Sequence, residues 1–126
     1  MAETEAKTEK IVIIATHGGE DPERATFPFV AANAALTMDV KVTVILMGYA
    51  VTLAQTGVNE HIFATGLPPL RDLMGSFLSQ GGQLLVCTPC IQGRKITQEM
   101  LLKGSTIIAA ARLVQECLEA KATLNY

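Results

Sequence analysis

The sequence predicts an α/β fold: a single flavodoxin-like, doubly wound domain with a mainly parallel five-stranded sheet and helices on both faces. Three features predict it. Ile11–Ala15 and Val40–Met47 are apolar runs rich in β-branched residues, the pattern of strands covered on both faces. Between such runs lie segments whose apolar residues recur at helical spacing. Glycine and proline clusters, among them Gly18-Gly19, Pro68-Pro69 and Gly81-Gly82, fall at the joins.

Residues 1–9 have nothing to bury and are expected to form a disordered N-terminal tail, with the domain occupying residues 10–126. Ile11–Ala15 is the first strand and should be central. His17-Gly18-Gly19-Glu20-Asp21-Pro22 is a loop by composition, and Ala25, Phe29, Val30, Ala32, Ala35 and Leu36 mark a helix from Glu23 to Met38. Pro28 fits there only in the first turn. Val40–Met47 is the second strand. From Ala50 to Gly82 the pattern is broken by Gly57, Gly66 and Pro68-Pro69 and reads as a short helix at Val51–Gln55, an irregular connector, and a helix from Pro69 to Gln80. Gln83–Cys87 is the third strand, followed by a short helix or turns from Pro89 to Leu102. Ser105–Ala109 is the fourth strand, and Ala110–Lys121 is a helix with Ala111, Val114, Cys117 and Leu118 as its apolar positions. Ala122–Tyr126 is a short last strand.

Alternating strands and helices joined by right-handed crossovers leave few topologies, of which the order 2-1-3-4-5 is expected. In that order the first and third strands are neighbours whose helices leave to opposite faces, opening a crevice at their carboxyl ends. The loop from His17 to Asp21 and the segment from Cys87 to Cys90 would then line one crevice.

A chain of 126 residues that is 49% hydrophobic fills one domain. A net charge of −2 without a basic patch excludes a nucleic-acid or anionic-membrane surface, and 5% aromatic residues with no Trp exclude a base-stacking platform. The polar start at Met1–Lys10 is no signal peptide, and the longest apolar run, Val42–Val51, is too short to span a bilayer. A cytoplasmic protein is expected, in a compartment that keeps its three cysteines as thiols.

The chemistry concentrates in Cys87-Thr88-Pro89-Cys90, which ends a strand and starts a helix, with Arg94 and Lys95 just beyond. Pro89 holds Thr88 extended and suits a first helical position. Free N–H groups and the helix dipole favour thiolate over thiol at such a start, and the two cations add positive potential. One of the two thiols is therefore expected to ionise more readily than an ordinary cysteine. A pair at this spacing means redox chemistry or metal more often than two small residues finishing a strand.

The opening Ile11-Val12-Ile13-Ile14-Ala15-Thr16-His17-Gly18, the strand Val42-Thr43-Val44-Ile45-Leu46-Met47-Gly48 and the cysteine segment with its basic residue together resemble the DsrE/DsrF-like family, small α/β proteins of sulfur relay related to the DsrE and TusD subunits. The resemblance covers Lys10 to Tyr126. It implies that Cys87, matching the family's cysteine at the end of the third strand, carries a persulfide. It also implies sulfur donor and acceptor proteins as partners and a homo-oligomer, commonly a trimer or hexamer. Arg94-Lys95 stand where the family often has Arg-Gly, so Lys95 for Gly and the additional Cys90 are departures. The resemblance favours Cys87 as the attacking sulfur with Cys90 as resolving partner, whereas the helix dipole favours Cys90.

Zinc would need about four ligands, and His17, His61 and Cys117 supply no second paired spacing, so neither metal nor cofactor is expected. His17 is a candidate acid/base or anion donor, or simply a helix-capping residue. Gly18 and Gly19 would let backbone approach a ligand, but they form neither a dinucleotide fingerprint nor a phosphate loop. His61 reads as surface and Cys117 as core. The leading reading is a cytosolic sulfur carrier. The alternatives are a thiol–disulfide oxidoreductase using Cys87 and Cys90, and a non-catalytic oligomeric module that binds a small ligand.

Overall fold

The computed structural model describes residues 8–126. Five strands, β1 (Lys10–Ala15), β2 (Lys41–Leu46), β3 (Gln83–Cys87), β4 (Ser105–Ile108) and β5 (Ala122–Asn125), form one sheet in which every pairing is parallel. Four helices, α1 (Pro22–Thr37), α2 (Leu70–Ser79), α3 (Thr88–Gly93) and α4 (Ala110–Glu119), alternate with them. The predicted fold class therefore stands. Most of the expected disordered tail lies outside the described residues; of its last residues, Glu9 already joins the sheet through its carbonyl, which accepts from Lys41 N at 2.9 Å. No helix among the described residues is long and apolar enough to cross a membrane.

The strand order is β4-β3-β2-β1-β5, which corrects the expected 2-1-3-4-5. Strand β2 lies between β1 and β3, its Leu46 paired with Ala15 on one side and Val86 on the other. The cause is visible in the burial. Residues from the first three connections, such as Phe29, Leu53, Met74, Phe77 and Ile91, share one core with Ile13, Val44 and Leu84. Among the described residues, only α4 packs on the other face, where Leu113, Cys117 and Ala120 meet Val12, Ile45 and Leu85. Right-handed crossovers that leave their helices on one face must step the same way each time, so β1 to β4 run in sequence across the sheet. The last crossover returns over the opposite face and sets β5 beside β1.

Three helices on the first face end alike. Asp39, Gly81 and Lys95 adopt positive φ, and the next residue's N–H bonds back to Ala35, Phe77 and Ile91 respectively, closing each helix by a left-handed residue and satisfying its last carbonyls.

Other expectations need correction. Helix α1 starts at Pro22, capped by Asp21 Oδ1 on Arg24 N at 3.1 Å, so Pro28 lies in the helix interior rather than its first turn. Burial of Pro28 against the core offsets the backbone bond it cannot make. The predicted short helix at Val51–Gln55 is a tighter 3₁₀ segment, Gly48–Ala54, whose Ala50, Val51, Leu53 and Ala54 are buried. The apolar residues of Ala50–Leu70 are thus largely core. Helix α4 presents Ala111, Val114 and Leu118 outward, because its sheet-facing edge is organised around Glu116. That carboxylate, 4% exposed, accepts from Lys10 Nζ, Arg112 Nε (2.7 Å) and Thr43 Oγ1 (3.3 Å).

Candidate functional site

Strand β3 feeds α3 on one face and β4 feeds α4 on the other, so the fold divides between the carboxyl ends of these two strands, where α/β sheets bind ligands. Cys87 closes β3 opposite Ile108, the last residue of β4, and the Thr88 hydroxyl donates to the Ile108 carbonyl at 2.7 Å. That division is therefore not between β1 and β3, as expected, but Cys87 ends one of the two strands that flank it.

Cys87 has extended backbone and is the residue before α3, whose first positions are Thr88 and Pro89, so Thr88 is helical rather than extended as expected. This turn lays Cys90 Sγ 3.0 Å from Cys87 Sγ. Both side chains are half-buried. The Cys90 sulfur also accepts the backbone N–H of Gly48 at 3.2 Å. Gly48 follows β2 directly, with φ at 57°, a left-handed conformation that glycine adopts without steric cost. Burial pushes the Cys87 thiol above the ordinary cysteine value; the hydrogen bond and charge of Cys90 add to the rise, while the Cys90 backbone N–H opposes it. If either sulfur is unusually easy to ionise, it is not Cys87.

Arg94 follows α3 and donates from Nη1 to the Cys90 carbonyl at 3.1 Å, while its guanidinium carbon lies 5.8 Å from the Tyr49 ring centroid. Lys95 holds φ at 58°, a left-handed conformation uncommon for a residue other than glycine. Tyr49 links this group to the loop after β1. A β-carbon on Gly18 would lie 2.8 Å from Thr52 Oγ1 and 2.9 Å from the Tyr49 carbonyl oxygen and ring, so only glycine lets that loop close on the segment after β2. His17 is engaged locally: its Nδ1 is 2.7 Å from Glu20 Oε2, and Glu20 Oε1 accepts Gly18 N at 2.7 Å. These bonds hold the Glu20 carboxyl below its usual range against a desolvation effect of opposite sign. Gly19 borders a separate cleft of about 440 Å³, lined also by Tyr49, Thr52, Gln55, His61 and Phe63.

The structure thus brings Cys87, Cys90 and Arg94 together and joins Gly18 to them through Tyr49, while His17 turns to Glu20. Cys117 lies on the other face of the sheet, on α4, half-buried against the core there. Sequence reasoning missed Gly48, Tyr49 and Glu20. A glycine ending an apolar strand was a legible signal for the first; nothing in the sequence pointed to the others. Among the described residues, no three His, Cys, Asp or Glu groups gather within reach of one metal ion.

The family model described as the DsrE/DsrF-like family matches residues 9–126. The chain belongs to the DsrE/DsrF-like family. Sulfur relay is this family's general association. The fold is also similar to those of solved structures. The ychN protein of E. coli superposes with a TM-score of 0.80 at 23% identity, covering 94% of this chain and 100% of that one. MTH1491 of Methanobacterium thermoautotrophicum, a protein of unknown function, superposes with a TM-score of 0.74 at 12% identity over 95% of this chain and all of that one. At these identities the likeness concerns the fold. An uncharacterized protein of Methanocaldococcus jannaschii, MJ0760, is 33% identical over 104 residues, or 82% of this chain, which spans only 38% of that relative's length.

Proposed function

We propose that this DsrE/DsrF-like protein carries sulfane sulfur as a persulfide on Cys87, receiving it from a donor protein and passing it to an acceptor's cysteine in the cytoplasm. The observation that supports this most is the pair of sulfurs 3.0 Å apart with the Gly48 N–H on Cys90. A donor to Cys90 stabilises negative charge there. Cys90 then serves as the base for Cys87, whose thiol, being held protonated, makes the stronger nucleophile once its proton leaves.

The transfer balances without an oxidant. A donor persulfide, R–S–SH, presents its terminal sulfur, and Cys90 takes the Cys87 proton as Cys87 attacks. The new S–S bond forms Cys87–S–SH; the donor's S–S bond breaks and its electron pair leaves on R–S⁻, which recovers the proton from Cys90. An acceptor thiolate repeats the displacement on the terminal sulfur and releases Cys87. The positive charge of Arg94 suits the anionic persulfide.

The test is intact-mass measurement after incubation with a persulfide donor. The wild type should gain the mass of about one sulfur atom, removable by reductant, as persulfidation is a reversible cap. Cys87→Ser should gain none and Cys90→Ser should load more slowly. Equal loading of wild type and Cys87→Ser sinks the proposal. The same short distance favours a second reading, thiol–disulfide exchange, in which both variants lose disulfide reductase activity and the wild type takes up no sulfur.

The homo-oligomer implied by the family belongs to the same proposal. Val114 and Leu118 on α4, 52% and 81% exposed, are the apolar residues a second copy would cover.

A further inference from the structure

We infer that Tyr49 is a positioning residue: its ring fixes Arg94 so that the guanidinium stays at the Cys90 carbonyl, on the helix that carries Cys90. The inference rests on the reading that Cys87 and Cys90 are the reactive site.

Arg94 is the residue immediately after α3, where a long side chain is ordinarily free to sweep through solvent. One hydrogen bond, Nη1 to the Cys90 carbonyl, is a weak tether for it. The second tether is the face of Tyr49, 5.8 Å from the guanidinium carbon to the ring centroid, within the range of cation–π attraction. The ring can do this only if it is itself held. Two features hold it. Tyr49 follows Gly48, whose N–H is engaged by Cys90, and Gly18 presses on the ring and carbonyl so closely that a β-carbon would collide with both. Tyr49, 46% exposed overall, is therefore clamped on its backbone side while Arg94 lies over its ring. Three connections of the sheet meet at this one side chain: the loop after β1, the segment after β2 and the end of α3.

The function follows from the charge. Arg94 is the cation bonded to the helix that carries Cys90, so its average position sets how strongly it stabilises a thiolate or persulfide anion there. Other ionisable groups of this end include His17 and Glu20, which bond each other, Asp21, which caps α1, His61, which lines a cleft with Tyr49, and Lys95, the next residue of the chain.

The experiment is the pH profile of iodoacetamide alkylation of Cys87 and Cys90, resolved by peptide mass, on the full chain. Arg94→Gln should slow alkylation near neutral pH about threefold and move the profile to higher pH, a size suited to a partly exposed charge. Tyr49→Leu should do the same, Tyr49→Phe should restore the wild-type profile because the ring face is kept, and Tyr49→Leu with Arg94→Gln should be no slower than either alone. Tyr49→Leu reacting like wild type, Tyr49→Phe behaving like Tyr49→Leu, or additive effects in the double variant would each overturn the inference. Alkylation needs no sulfur donor, so a protein that loads no persulfide yet shows this pattern loses the carrier reading and keeps the role of Tyr49.

Discussion

Gly48 donates its backbone N–H to the sulfur of Cys90 across 3.2 Å, tying the end of β2 to the first turn of α3. The contact exists because β2, not β1, lies beside β3. It places a backbone donor, which cannot titrate or rotate away, on one sulfur of the pair and leaves the other to be governed by burial.

That asymmetry sets the behaviour of the thiols. Cys87 is raised chiefly by burial, so in Cys90→Ser it should still alkylate with a midpoint above the ordinary cysteine value of about 8.5. Peptide-resolved alkylation across pH measures this; a midpoint at or below the ordinary value would show that the neighbour, not burial, had held the thiol protonated. Cys117, on α4 and packed against the sheet, should react slowly in the folded protein.

Gly18 and Gly82 separate stability from site geometry. A β-carbon at Gly82 would lie 2.2 Å from the Phe77 ring in the core, and at Gly18 2.9 Å from the Tyr49 carbonyl oxygen. Each alanine variant should cost about 1–3 kcal/mol in denaturant unfolding. Only Gly18→Ala should also slow alkylation of the cysteine pair, since only it displaces Tyr49. Equal thiol reactivity in the two variants would break the link between Gly18 and the site.

Lys95 holds a left-handed conformation that costs a non-glycine residue roughly 1 kcal/mol. Lys95→Gly removes that strain but adds freedom to the unfolded chain, so a net gain of roughly 0.5 kcal/mol is expected. The chemical denaturation midpoint should rise; a fall would mean that the lysine side chain stabilises the fold by more than its backbone costs.

Glu116 makes the fold sensitive to acid. Although burial alone would raise its carboxyl, the bonds from Lys10 and Arg112 win and hold it below the usual range. A carboxylate lowered on folding contributes stability that is complete above its unfolded value and is lost as pH falls toward the folded one. Lys10 is raised by the same partner, burial notwithstanding, so its share is lost only at strongly alkaline pH. Glu116→Gln should destabilise by about 2 kcal/mol at pH 7, and by progressively less below about pH 4. Thermal midpoints measured across pH give the comparison, and a constant difference down to pH 3 would refute the ion-pair account.

What the sequence determined by itself was local or periodic. The β-branched runs at Ile11–Ala15 and Val42–Leu46 marked buried parallel strands because both faces of such strands must be apolar. Pro89 marked a strand-to-helix turn because proline suits the first turn of a helix, and that turn alone, with Cys87 rather than Thr88 extended, brings Cys90 back to Cys87. The tertiary structure decided what depends on which strands are neighbours. Residue patterns are nearly identical for the orders 2-1-3-4-5 and 4-3-2-1-5, since both bury the central strands fully; the choice lies in the direction each crossover steps. That choice placed Gly48 rather than His17 against the cysteines. It set Tyr49 between Gly18 and Arg94, and it turned Glu116, a charged residue on a helix with apolar neighbours, into the group over which α4 packs. Proximity between residues far apart in sequence carries no periodicity, and for that reason these partners of the site emerged only from the folded chain.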